Sequence, residues 1–85
     1  MKIASIAREF EHRINIEIHS QEQGNCIISL VNDEGTIFKM LGINLSAGAN
    51  RFWVDHLEYL RSGPYYLHVI TTQGKSLYTT ELIKQ

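Results

Sequence analysis

Apolar residues recur at every second position in several short stretches of this chain. That two-residue period marks a pleated strand with one face hidden. Ile14, Ile16 and Ile18 alternate with Arg13, Asn15, Glu17 and His19, so one row is β-branched and the other polar. Cys26, Ile28 and Leu30 keep the same rhythm, as do Phe52 with Val54, and then Tyr65, Leu67 and Val69. Ile3, Ile6, Ala7 and Phe10 have helical spacing instead, but the segment is too short to hold a helix without a cap or partner face. Residues 1–10 are therefore expected to form an edge strand or an irregular lead-in.

Turn residues punctuate these rows. Ser20 to Asn25 (SQEQGN) reads as a polar hairpin loop, and Asn32-Asp33-Glu34-Gly35 as a tight turn. Thr36 to Leu41 then returns as a partner strand, with either Ile37 or Phe38 taking the inner face. Gly42 is expected to mark a bulge or a change of sheet. Between Val54 and Tyr65 the chain turns a corner in which Leu57 and Leu60 are the only large aliphatic groups, placed to plug the end of the core. Gly63 there can adopt a positive φ, and Pro64 lacks the donor an interior ladder would need. Gln73-Gly74-Lys75 makes a last turn before a closing strand, Ser76 to Lys84, with a change of phase near Thr80. Together these predict about seven short strands with turn signals at intervals of roughly ten residues. The expected fold is all-β, an Ig-like antiparallel β-sandwich forming a single domain over residues 1–85, because each sheet must hide its apolar face against another.

Composition narrows the function more than it names it. The formal net charge is −1 and the basic residues stand singly, which removes the electrostatic footing for nucleic-acid binding. The apolar runs fall far short of a bilayer span, so no transmembrane segment is expected. Met1 to Ala7 opens like a signal peptide, but Arg8-Glu9-Phe10-Glu11 interrupts it before an apolar run forms, and no export signal is expected in the chain as written. Cys26 is the only cysteine, so no internal disulfide can form, and its neighbours fit a buried structural thiol.

The candidate chemistry is thin. His12, His19, His56 and His68 lack zinc-site spacing, and Glu17 with His19 reads as a solvated strand face. Asp55, His56 and Ser62 supply the residue types of a triad, but no Gly-x-Ser-x-Gly elbow positions the serine. No catalytic, cofactor or metal residues are assigned, no cofactor is expected, and the chain is not expected to be an enzyme. Trp53, Tyr59, Tyr66 and Tyr78 are the better candidates for a surface. If Phe52 and Val54 point inward, Trp53 points outward, and with Tyr66 it could serve a carbohydrate-binding or adhesive module. Alternatively, these aromatics pair across strands, or Trp53 lies beneath the N-terminal segment. Exposed edge strands add a route to self-association or to strand addition by a partner.

One set of motifs goes further. Asn32-Asp33-x-Gly35, Leu45-x-x-Gly48-x-Asn50, Leu60-x-Ser62-Gly63-x-Tyr65-x-Leu67-x-Val69, the Gly74-Lys75 turn and the terminal Leu82-Ile83-Lys84 occur in this order. From about Phe10 to Gln85 the chain resembles the C-terminal sorting domain of the type IX secretion system, the β-sandwich tail of secreted Bacteroidetes proteins. The resemblance implies a non-enzymatic protein-sorting domain whose partner is the outer-membrane export machinery. It also implies a cell-surface or secreted location as part of a longer exported protein. Two positions depart from that pattern: Ala7 to Glu11 stands where such tails often carry Pro-Asn-Pro, and Pro64 where an aliphatic residue is usual. A stand-alone relative that kept the fold and not the task is the other reading.

Overall fold

A computed structural model describes all 85 residues. The chain is all-β and forms two sheets. Its eight strands are β1 (Lys2–Ile6), β2 (Glu9–Phe10), β3 (Ile14–Ser20), β4 (Gly24–Val31), β5 (Ile37–Leu45), β6 (Gly48–Val54), β7 (Gly63–Thr71) and β8 (Ser76–Lys84). One sheet has the order β1-β3-β6 and the other β2-β8-β7-β4-β5. The greasy rows read from the sequence meet between them: Ile14, Ile16 and Ile18 from β3 and Val54 from β6 face Cys26, Ile28, Leu30, Leu67 and Val69. Phe52, from the same row, is only half buried.

Several local readings change. The lead-in divides between the sheets, which accounts for the eighth strand. β1 pairs antiparallel with β3, while β2 pairs with β8 in parallel, the one parallel ladder in an otherwise antiparallel fold. Both are edge strands, as expected, yet Phe10 on β2 is only 5% exposed and stacks edge-on against Tyr65 at 6.1 Å. The helical look of the lead-in comes from the irregularity between Ile3 and Ser5, which breaks the two-residue period and brings Ile3 and Ile6, three apart, to the same face. Ser20 to Asn25 is not a hairpin loop, because β3 and β4 lie in different sheets and the segment arches from one to the other. The polarity of a loop does not distinguish a hairpin from an arch. Gly42 lies within an unbroken β5, whose irregularity falls opposite Leu30 and Val31 and turns Phe38 inward. The phase change in β8 likewise sits at Leu77, not near Thr80.

The corner before β7 holds the two sheets in place. Leu57 is fully buried and Leu60 nearly so, and the Leu57 amide donates to the His12 carbonyl at 3.1 Å. The Tyr65 hydroxyl donates to the Arg61 carbonyl at 2.8 Å, a tyrosine corner of the kind found in Ig-like sandwiches. Pro64 lies on the overhang of β7 beyond the end of β4, where only β8 runs alongside. A missing donor costs least there.

Candidate functional site

The chemistry-bearing residues named from the sequence are spread over the molecule. His19 sits on the outer face of the three-stranded sheet, His68 on that of the five-stranded sheet beside Thr79, and His56 in the corner, 4.0 Å from Glu58. No three His, Cys, Asp or Glu side chains gather as metal ligands would. The Asp55 carboxylate is held by Arg13 Nε at 2.8 Å, so it is engaged elsewhere than with His56 or Ser62. Cys26 is buried, and desolvation pushes its thiol above the ordinary range, which keeps it protonated and unreactive.

The two aromatics proposed to act together face opposite directions. Tyr66 belongs to the outer row of the five-stranded sheet, between Val31 and Glu81. Trp53 belongs to the outer row of the three-stranded sheet, opposite Asn15, and is 52% exposed. The N-terminal segment does not cover it. β1 lies along the far edge of β3, with β3 between it and β6.

Around Trp53 the pleat assembles a polar surface that sequence spacing alone did not join. The pair Asn15–Trp53 is followed one pleat on by Glu17–Arg51, and Ser5 of β1 stands opposite Glu17 on its other side. Glu17 accepts from Arg51 Nε at 3.1 Å, and its second oxygen lies 3.0 Å from His19 Nε2. These partners, His19 first and then Arg51, hold the Glu17 carboxyl below its ordinary pKa. Ser5, Asn15, Glu17, Arg51 and Trp53 border an open depression of about 300 Å³. A second depression, about 430 Å³, is lined by Gln23, Gly24, Asn25, Asn44 and Leu45 and holds no charged or aromatic group.

No family model and no curated protein matches the chain. Solved structures do share its fold. A mutant β-glucosidase from Listeria innocua in complex with laminaribiose aligns with 99% of this chain at TM-score 0.59 and 14% identity. The β-glucosidase from Listeria innocua in complex with isofagomine aligns with 98% at TM-score 0.59 and the same identity. The chain spans only 15% of the length of each. At that identity the likeness is one of fold.

The Glu17 cluster has a measurable acid signature. A carboxyl whose pKa is lowered by folding contributes stability above its unfolded pKa, and that contribution is lost as pH falls through the lowered value. Glu17→Gln is therefore expected to flatten the fall in melting temperature between about pH 6 and about pH 3, by a few degrees at most because the group is solvated. Parallel acid limbs in wild type and variant, followed by circular dichroism, would remove the network from the stability of the fold.

Proposed function

We propose that this chain is a non-enzymatic sorting domain of the type IX kind, recognised by outer-membrane export machinery. The observation that carries the reading is how β8 is fastened to the lead-in of the sandwich. The Ile83 amide donates to the Arg8 carbonyl and the Gln85 amide to the Phe10 carbonyl, each at 2.8 Å. Gln85 Nε2 reaches Glu9 at 2.6 Å. A strand fastened in this way presents the same surface whatever passenger the domain is joined to, as a signal shared among passengers requires.

The motif residues fit this reading through conformation. Asn50 clamps the arch before β6 by accepting from the Ser46 amide and donating to the Ser46 carbonyl, both at 2.9 Å. Asn32 Oδ1 accepts from the Glu34 and Thr36 amides, closing the β4–β5 turn. Because those residues maintain the fold, recognition is assigned to what they leave free. β2 borders β8 only at Ile83 and Lys84, so the edge from Leu77 to Glu81 is open for a partner strand to add.

A signal peptide, a reporter passenger and this domain, fused in that order, test the reading in a bacterium with a type IX system. The reporter is expected in the medium or on the surface, and to remain periplasmic when the system is deleted. Periplasmic retention of a folded fusion in the competent host, or release that survives the deletion, overturns it.

A further inference from the structure

We propose that the outer face of the three-stranded sheet carries a glycan-binding site centred on Trp53. The site needs no contribution from Tyr66 and stands independently of the sorting role. An indole half exposed on the outer face of a sheet offers an apolar plane to the C–H face of a pyranose ring, and amphipathic aromatics suit ligands that are apolar on one side and wet on the other. The neighbouring row supplies the polar half. Successive outward residues on a strand are about 7 Å apart, so the Glu17–Arg51 pair lies one ring-width from Trp53.

Its hydrogen-bonding inventory suits hydroxyls, which both donate and accept. Glu17 is held ionised and each of its oxygens keeps lone-pair capacity beyond its one protein partner. Arg51 meets Glu17 through Nε, leaving its terminal amino groups to donate, and its side chain is 77% exposed. Asn15, directly across from Trp53, brings both a donor and an acceptor. The opposed charges of Glu17 and Arg51 cancel, so the surface selects a neutral sugar over an anionic or cationic one. A peptide adding as a strand would instead use the backbone edge of β6, and truncating the indole would matter little to it.

Affinity electrophoresis of the whole chain, in native gels cast with laminarin, a soluble mannan or hydroxyethylcellulose, tests the site. Retardation is expected in at least one gel. Trp53→Ala is expected to weaken it by about tenfold and Arg51→Ala by about threefold, while Trp53→Phe keeps most of it. Tyr66→Ala should bind as wild type does. Circular dichroism of each variant separates loss of binding from loss of fold. Since Trp53 is the only tryptophan, its emission should also change on titration with the binding polysaccharide. Equal retardation of folded Trp53→Ala, or no retardation in any gel, overturns the proposal. Neither result bears on export of the fusion described above.

Discussion

Leu67→Ala is expected to remove a large fraction of this domain's stability. Leu67 is fully buried in the middle of β7, flanked by Leu30 on β4 and Thr80 on β8, with the three-stranded sheet packed above. Removing such a side chain costs about 2–5 kcal/mol, because the transfer energy is lost and the cavity only partly collapses. A chain of this size rests on about 4–13 kcal/mol in total, so one core leucine is a large fraction of it. Leu77→Ala is the matched control. Leu77 is 40% exposed at the β8 irregularity, and its truncation should change stability by no more than about 0.5 kcal/mol. Urea midpoints followed by far-ultraviolet circular dichroism compare the two, since the exposed Trp53 reports poorly on the core. A loss below about 1 kcal/mol for Leu67→Ala would mean that the two sheets do not close on this row.

The second large effect separates backbone from packing. Gly63 opens β7 at φ +136°, and a Cβ built there meets no atom within 4 Å. Gly63→Ala is therefore a test of conformation alone, expected to cost about 1–3 kcal/mol because side-chain-bearing residues rarely adopt that region. Gly42 also has open space around it, but its φ is not positive, and it lies within regular β5. Gly42→Ala should be neutral or stabilising by up to about 1 kcal/mol, through reduced entropy of the unfolded chain. Opposite signs from the same chemical change are the expected result. Equal melting temperatures for the two variants would contradict the corner geometry, including the Tyr65 hydroxyl bond to Arg61 that follows from it.

The corner also illustrates how far a sequence can be read. Gly63, Pro64 and Tyr65 announce a turn into a strand, and Leu57 with Leu60 announces a plug, because side-chain shape and backbone freedom act locally. The same local logic predicted the Asn32 to Gly35 turn, which Asn32 closes with its own side chain. It did not settle which way Phe10 and Phe38 face. Whether either ring faces inward depends on Tyr65, which lies 6.1 Å from one and 5.7 Å from the other across strands remote in sequence. That logic turned Trp53 outward correctly but did not assemble the surface around it. Glu17 and His19 could be read as neighbours on one strand, but Arg51 joins them only through the β3–β6 register.

What residue order determined by itself was the period of each strand, the identity of most buried rows and the places where the chain bends, all of which follow from interactions within a few residues. Only the tertiary structure decided which strands share a sheet. It made the β3–β4 link an arch, ran β2 parallel to β8, and set Trp53 and Tyr66 on opposite faces of the sandwich. The physical reason is that alternation tells each strand which side to bury but not which neighbour to bury it with. That choice depends on how both sheets, closed at one end by Leu57, Leu60 and Tyr65, fill one common core.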